Sequence, residues 1–310
     1  MQKTLAVFGA TGHQGGSVIR NVQSDSELAK QYQIRAITRD LTKSSSTKLK
    51  EQGIEVVEAD ANDAASLVKA LTGCQAVFIV TSHDFMDTAS TEREITQGKS
   101  MADAAVTAGV ELIIFSSLRS VTKVSGGKYQ HVGHFDAKAK VEEYIRTLPV
   151  KSAFVALASY MQNFREALVP RPLGDGTFAF FNCMTPETKF AIVDVGDTGK
   201  WVAAILAAPE KFDGEFVAAA TEDYTMNELA EIMSRASGKT VRYNQVPEQV
   251  YRGFLPPTMV DDLVDMALYF QDFGYYGPNS NELVSLAPQK ASTKPTTFEE
   301  FFMQNPLVLD

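Results

Sequence analysis

Apolar residues in the first half of the chain form short runs, separated by longer stretches in which they recur every three or four positions. Short apolar runs predict buried strands, and the longer periodic stretches predict amphipathic helices. The predicted strands span residues 4–8, 34–38, 54–58, 76–80 and 112–115. The predicted helices span residues 15–24, 43–51, 64–71, 92–108 and 135–146. Because strands and helices alternate, we predict an α/β fold with a Rossmann-type, doubly wound parallel sheet.

The second half of the chain keeps this alternation only in part, and its later helices are short and separated by turns containing Gly, Pro and Asn. The predicted elements are a strand at 152–157, a strand and helix within 190–207, and helices at 226–236 and 256–270. We expect an NADP(H)-binding domain over 1–157, to which 188–222 return. A smaller α+β C-terminal lobe over 158–310 is expected to form a cleft with it.

Composition and charge exclude several classes of function. The chain has 310 residues and a formal net charge of -9, without a dense basic block, so direct binding to nucleic acid is not predicted. Cys74 and Cys183 are too few for a disulfide framework, and no cluster has the spacing of metal ligands, so no metal is predicted. No apolar run reaches the length of about 18 residues that a membrane span needs. We expect a cytoplasmic or nuclear location, or both.

The segment VFGATGHQGGSVI contains Gly9, Gly12 and Gly15 between a predicted strand and a predicted helix. Glycines in this position let backbone N–H groups approach a diphosphate at the start of a helix. We therefore predict a dinucleotide site, with a simple tight turn as the alternative. The predicted cofactor contacts in this loop are Gly9, Ala10, Thr11, Gly12, His13, Gln14 and Gly15.

The end of the second strand carries Arg39 and Lys43, where an NAD site usually has an acidic residue. A guanidinium and an ammonium suit a ribose 2′-phosphate, so NADP(H) is the predicted cofactor. In the alternative interpretation Asp40 binds the ribose and Arg39 is a surface charge. Later strand ends add the predicted cofactor contacts Asp60, Ala61, Thr81, Ser82 and His83, although Asp60 could instead cap a helix.

The chain resembles the NmrA-like family of atypical short-chain dehydrogenases/reductases. The resemblance rests on VFGATGHQGGSV, ITRD, FIVTSH, EREITQGKSMADAA, HFDAKAKVEEYI, SYMQNF and FEEFF, spread over nearly the whole chain. It implies an NADP(H)-binding redox sensor that regulates a partner protein, while related branches include isoflavone-reductase-like and quinone-reductase-like enzymes. It also implies that Tyr160, Met161, Gln162 and Asn163 contact the cofactor near the nicotinamide.

The helix that begins near residue 133 departs from the superfamily's Tyr-x-x-x-Lys motif. Lys138 matches the lysine, which holds the ribose and supports catalysis, but His134 replaces the tyrosine that donates the proton. Loss of a placed general acid costs about a hundred- to ten-thousand-fold in rate. Histidine can also donate a proton near neutral pH. Ser117 matches the position of a substrate-orienting serine, or it satisfies loop backbone groups.

These residues leave three functions open, one of which is a pure scaffold with a vestigial glycine loop, which cofactor binding would exclude. We prefer a redox sensor acting through a protein partner with little or no turnover. The alternative is an NADPH-dependent reductase of a small carbonyl, quinone or imine substrate that uses Lys138 and His134. An apolar stripe in the second lobe is either core or one wall of the cleft, and comprises Leu263, Met266, Phe270 and Phe273. The oligomeric state stays open.

Overall fold

The computed structural model describes residues 2–310. Its strands are β1 (Lys3–Val7), β2 (Tyr32–Thr38), β3 (Glu55–Glu58), β4 (Ala76–Ile79), β5 (Leu112–Ser116), β6 (Lys151–Leu157), β7 (Ser159–Tyr160), β8 (Arg171–Pro172), β9 (Phe178–Asn182), β10 (Phe190–Val193), β11 (Phe216–Ala219), β12 (Glu222–Tyr224) and β13 (Val241–Gln245). Its α-helices are α1 (His13–Ser24), α2 (Leu28–Gln31), α3 (Ser44–Glu51), α4 (Ala64–Leu71), α5 (Ser90–Thr107), α6 (Val121–Val124), α7 (Gly133–Ile145), α8 (Thr198–Ala207), α9 (Met226–Ser237), α10 (Glu248–Arg252), α11 (Val260–Phe273), α12 (Ser280–Leu286) and α13 (Phe298–Gln304).

Seven strands form one parallel sheet in the order β11-β6-β5-β4-β1-β2-β3. The chain runs outward from β1 to β3, returns to β4 beside β1, and then runs outward in the other direction. The reversal point therefore lies between β1 and β4, where ligands bind in doubly wound sheets. The Rossmann-type fold predicted from the pattern of apolar positions is confirmed.

The interior strands of this sheet consist of apolar residues that are buried on both faces. All four residues of β4 and all five of β5 are buried, as expected for a parallel sheet covered by helices. Helices α5 and α7 pack closely on one face, and Gly98 allows this. A Cβ atom at Gly98 would lie 2.6 Å from Cγ2 of Val141. This close approach brings the first turns of the two helices to the same end of the sheet.

The second half of the chain contributes two small sheets. In one, β10 pairs antiparallel with β12 and parallel with β7; in the other, β9 pairs parallel with β13 and antiparallel with β8. The strand predicted within 190–207 therefore lies outside the large sheet, whereas α8 packs against α1. A Cβ atom at Gly199 of α8 would lie 2.4 Å from the backbone oxygen of Ser17.

The seventh strand of the large sheet, β11, has the sequence FVAA and was not predicted. Its alanines have low strand propensity, so its pairing with β6 rather than its local sequence decides its conformation. None of the helices within residues 2–310 is long and apolar enough to cross a bilayer.

Candidate functional site

The loop between β1 and α1 has a shape that only glycine allows at two positions. Gly9 has a φ of 63°, and a Cβ atom there would lie 2.7 Å from Cγ1 of Val80. A Cβ atom at Gly15 would lie 2.3 Å from the backbone oxygen of Gly9. Gly12 closes the turn by donating its N–H to Gly9 at 2.9 Å. The glycines therefore fold the chain back tightly at the reversal point of the sheet.

The N-terminus of α1 is open to a ligand. Gly12 is its N-cap residue, and no side chain within residues 2–310 caps the helix at this end. The first N–H groups of a helix then lack partners and carry the positive end of its dipole. An uncapped helix start behind a tight glycine turn is the arrangement that binds a diphosphate, so the residues present fit this part of a dinucleotide.

The end of β2 presents cations without partners. Arg39 and Lys43 are exposed, and neither forms an ion pair with any residue in the described chain. Asp40 is committed locally, because its Oδ1 accepts hydrogen bonds from the Oγ1 and the N–H of Thr42, which lower the pKa of Asp40. A phosphate monoester would suit this pair of cations.

Asp60 lies in the turn that follows β3. Its Oδ1 accepts from the N–H and Nδ2 of Asn62, at 2.8 and 2.9 Å. The N-cap of α4 is Asp63, which accepts from the N–H groups of Ala65 and Ser66. The capping alternative for Asp60 is therefore wrong, while Asp60 stays exposed beside the half-buried Ala61. Ser82 is likewise exposed, just beyond β4.

Lys138 lies in a buried polar network that the sequence did not reveal. Its Nζ donates to Glu94 Oε1 at 2.6 Å, to Thr81 Oγ1 at 2.8 Å and to the backbone oxygen of Thr81 at 3.2 Å. Thr81 Oγ1 also donates to Glu94, and His83 Nδ1 lies 3.0 Å from Glu94 Oε2. An ammonium has three protons, so the protein itself accounts for all of them.

Glu94 is the centre of this network, with a side chain that is 0% exposed. Burial raises the pKa of this carboxyl, but the hydrogen bond from His83 and the charge and hydrogen bond of Lys138 outweigh burial and lower the pKa to about 2. Lys138 is therefore held first as the counter-ion of Glu94. A ribose hydroxyl can bind the ammonium only by sharing or replacing one of these three hydrogen bonds.

His134 begins α7 and faces an aspartate of α11. Its Nδ1 lies 3.0 Å from Oδ1 and 3.1 Å from Oδ2 of Asp262, with hydrogen-bond geometry at Oδ2. The same Oδ2 accepts the N–H of Gly133 at 3.0 Å. The side chains of His134 and Asp262 are only 15% and 11% exposed. This carboxylate was not predicted, since 128 residues separate it from the histidine.

A cleft of about 680 Å³ opens beside these groups, and most of its walls are apolar or aromatic. Its lining includes a polar group, named here its polar end, of Gln14, His134, Lys138, Tyr160 and Asn163, and also the polar residues Arg171 and Asn182. Gln14 donates from Nε2 to Tyr160 Oη at 2.9 Å, while its buried Oε1 has no partner among the described residues. An unpartnered buried acceptor costs free energy unless a ligand or water satisfies it. The surface where a cofactor would fit runs from Arg39 past Gly9–Gly15 to Lys138, and we call it the nucleotide groove. The cleft therefore meets this groove at Gln14.

The 160–163 segment divides between the cleft and the protein interior. Tyr160 and Asn163 line the cleft. Met161 is fully buried, and Gln162 donates to Asp194 Oδ1 at 2.6 Å. Packing engages the side chain of Met161 and an internal hydrogen bond engages that of Gln162, while contacts from this segment to a cofactor stay a prediction.

Ser117 lies at the end of β5 and is 1% exposed. Its Oγ donates to Glu142 Oε2 at 2.5 Å, and Glu142 also pairs with Arg146. The hydroxyl proton is thus used within the protein, although Ser117 lies in the lining of the cleft, and its role in orienting a substrate stays a prediction. The neighbouring Ser116 lines the cleft as well.

The apolar stripe of α11 lies partly in the wall of the cleft and partly outside it. Leu263, Met266 and Phe270 line the cleft, so for them the prediction of a cleft wall is confirmed. Phe273 instead stacks on Tyr269 with ring centroids 5.7 Å apart, outside the cleft lining. One helix thus supplies both the apolar wall and, through Asp262, the partner of His134.

A family model described as the NmrA-like family matches residues 1–302. The chain belongs to the NmrA-like family. A family member from Dictyostelium discoideum is 30% identical over 260 residues, covering 81% of this chain and 83% of that protein. The NmrA-like oxidoreductase hkm9 of Aspergillus hancockii is 27% identical over 308 residues, covering 94% and 90%.

A solved structure of NmrA, a negative transcriptional regulator, gives a TM-score of 0.81 at 25% identity and covers 97% of this chain and 94% of that chain. A structure of NmrA in complex with NADP gives a TM-score of 0.79 at the same identity and coverage. The family thus includes proteins named as oxidoreductases and a protein named as a regulator.

Proposed function

We propose that this protein binds NADP(H) and reduces a small, largely apolar substrate in the cleft. The uncapped start of α1 would hold the diphosphate, and Arg39 with Lys43 would hold the 2′-phosphate. Lys138, Tyr160 and Gln14 stand where the cleft meets the nucleotide groove. NADPH, when bound, supplies a hydride. The binding of NADP by NmrA supports this cofactor.

The apolar cleft is the observation that carries the reductase proposal. A protein that only detects NADP(H) needs the nucleotide groove, but it does not need a preformed cavity of about 680 Å³ beside it. Clefts with apolar walls and a few polar groups at one end are typical of small-molecule sites. The names of curated relatives as oxidoreductases support the same assignment.

Filling the cleft tests this proposal without touching the nucleotide groove. Met266→Trp places a large ring in the cleft, while Met303→Trp makes the same change at a side chain that is 80% exposed. NADPH affinity is measured by titration, and turnover is measured as NADPH oxidation with 2-naphthaldehyde, 2-acetylnaphthalene, 1,4-naphthoquinone and 3,4-dihydroisoquinoline. We expect Met266→Trp to bind NADPH normally and lose turnover, with Met303→Trp unchanged. Full turnover by Met266→Trp would reject the cleft as the substrate site.

A redox sensor is the second candidate, and the Lys138–Glu94 pair favours it. The lysine that supports catalysis in related enzymes is here engaged by Thr81 and Glu94, and no tyrosine precedes it by four residues. The likeness to a negative transcriptional regulator supports it too. A sensor would turn over none of the four substrates, and hydrogen exchange over residues 255–280 would differ between NADP⁺ and NADPH. Identical exchange with both cofactors would count against a sensor.

A further inference from the structure

Two histidines at the polar end of the cleft each have Nδ1 beside a carboxylate. His83 faces Glu94 and His134 faces Asp262, both at 3.0 Å. Their ring centroids are 5.8 Å apart, and the ring of Phe85 lies about equally close to both. Only His134 contributes to the wall of the cleft. A carboxylate at Nδ1 fixes the ring and leaves Nε2 as the nitrogen available to a ligand.

Lys138 is poorly suited to give up a proton. Its ammonium is the counter-ion of Glu94, whose side chain has no exposed surface. Loss of a proton from Lys138 would leave this buried carboxylate without its charged partner, which is costly. A reductase with this network therefore needs another proton donor at the same end of the cleft.

Tyr160 is a second candidate donor in the lining of the cleft. Burial raises the pKa of its phenol, which outweighs the hydrogen bond that it accepts from Gln14. A raised pKa makes the phenol a weaker acid at neutral pH. His134 instead lies with Nδ1 against the Asp262 carboxylate, which holds the ring in place.

We propose that His134 donates the proton that completes reduction of a carbonyl substrate, and that Asp262 is the positioning residue that directs Nε2 into the cleft. This inference rests on the proposed reductase function. A bound NADPH would supply the hydride and would itself be oxidised to NADP⁺. The new C–H bond at the carbonyl carbon would replace the C=O π bond and leave a negative oxygen. His134 gives that oxygen its proton: an O–H bond forms, the Nε2–H bond breaks, and solvent water then reprotonates the neutral ring.

The charges around His134 support this assignment. Asp262 approaches from α11, Lys138 from the next turn of α7, and His83 from the loop after β4. Lys138 is neutralised by Glu94 of α5, which also faces His83. Asp262 is thus the carboxylate in direct contact with His134, and this contact at Nδ1 orients the ring with Nε2 as its free nitrogen.

Four variants separate these roles. His134→Gln removes the donor, Asp262→Ala removes the carboxylate, and Asp262→Asn keeps an oxygen that accepts from Nδ1 but removes the charge. Asp261→Asn is the matched control, since this neighbour is 60% exposed and pairs with Arg252. With 2-acetylnaphthalene and NADPH we expect kcat to fall about a hundred- to ten-thousand-fold in His134→Gln and nearly as far in Asp262→Ala. The loss of kcat should be smaller in Asp262→Asn, and Asp261→Asn should keep the kcat of the wild type. The affinity for NADPH should stay unchanged in all four variants.

A second readout uses the protein without cofactor or substrate. Nitrogen NMR of ¹⁵N-histidine-labelled protein reports which ring nitrogen of neutral His134 carries the proton. We expect Nδ1 in the wild type and in Asp262→Asn, and a mixture of both tautomers in Asp262→Ala. A purely structural role for Asp262 would lower stability without moving this proton.

Four results would overturn the inference. If the wild type turns over and His134→Gln keeps full activity, His134 is not the proton donor, while the reductase function stands. Loss of turnover in Tyr160→Phe with retention in His134→Gln would assign the donor to the tyrosine. An unchanged tautomer in Asp262→Ala would reject the positioning role. Absence of turnover in the wild type itself would reject the proposed function, and the donor role with it.

Discussion

The two ends of the nucleotide groove hold their positive charges in opposite ways. At the end of β2, Arg39 and Lys43 are exposed and unpaired within the described chain. At the start of α7, Lys138 is buried against Glu94. An exposed cation stays hydrated at little cost and is free to bind a phosphate, whereas a buried cation must have its partner before any ligand arrives. The exposed cations at the end of β2 therefore suit ligand binding, whereas the pair of Lys138 and Glu94 fixes the side chains around it.

We expect the largest loss of cofactor affinity from a change in the glycine turn between β1 and α1, where the backbone itself would contact the diphosphate. Gly15→Ala would place Cβ 2.3 Å from the backbone oxygen of Gly9, so the turn or α1 must move. We expect NADPH affinity to fall at least about a hundredfold, corresponding to about 3 kcal/mol, as measured by titration calorimetry. Gly16→Ala is the control, because its nearest neighbour is the flexible end of Arg20 at 3.3 Å. Equal losses in both variants would contradict a specific role for the turn.

Glu94→Gln tests the paired end of the groove. Removing the charge leaves Lys138 without its counter-ion, and we expect about 3 kcal/mol less stability at neutral pH in urea unfolding. The lowering of the Glu94 pKa from 4.5 to about 2 corresponds to about the same free energy. Because the pKa is lower in the folded state, this stabilisation is present above about pH 4.5 and disappears as the pH falls through 2.

The stability difference between wild type and Glu94→Gln should therefore narrow on acidification. Glu92→Gln is the control on the same helix, since its side chain is 79% exposed and its partner Lys140 lies 3.9 Å away. This variant should match the wild type at every pH. A difference between wild type and Glu94→Gln that does not change with pH would show that packing, rather than charge, makes Glu94 important.

Arg39→Ala tests the unpaired end. We expect NADPH affinity to fall about ten- to a hundredfold, the value of one or two charge-assisted hydrogen bonds, with NADH affinity little changed. Lys43→Ala should act in the same direction but less strongly, because an ammonium is not bidentate. The ratio of the two dissociation constants is the decisive quantity. A ratio unaffected by Arg39→Ala would move cofactor discrimination away from the end of β2.

The smallest effect is expected at Gln14→Leu, where cleft and groove meet. Its Oε1 already lacks a partner in the described chain, so the folded protein should lose less than about 1 kcal/mol in thermal or urea unfolding. NADPH affinity should fall about threefold if the cofactor supplies the missing donor. An unchanged affinity together with a clear gain in stability would show that no ligand uses this oxygen.

Patterns of residues that are close together in the sequence predicted those elements that depend on such residues alone. The strand and helix periods predicted six of the seven strands of the large sheet, and the glycine spacing located the turn that Gly9 and Gly15 make. The short strand β11 was not predictable, because its FVAA sequence depends on pairing with β6. Local pattern therefore predicts strands that their own residues specify strongly, whereas tertiary pairing decides a strand that they specify weakly.

The candidate site was predictable only in part for a similar reason. His134 and Lys138 were found because they share one helix, but their partners Asp262 and Glu94 come from other elements. The hydrogen bond from Ser117 to Glu142 was not predictable, because nothing in the local sequence of Ser117 indicates that Glu142 accepts its proton. Residue identity gives the chemical groups of a site, whereas their hydrogen-bond partners decide which groups remain available to a ligand.

Deuterium transfer tests the central claim most directly. Wild-type protein is incubated with 2-acetylnaphthalene and NADPH that carries deuterium at both positions of nicotinamide C4, and the product is analysed by mass spectrometry. The account predicts an alcohol with one deuterium on the carbinol carbon, and no such product from Met266→Trp. Tight NADPH binding with no deuterated product from this or the three other substrates would contradict a reductase and leave the sensor as the better account.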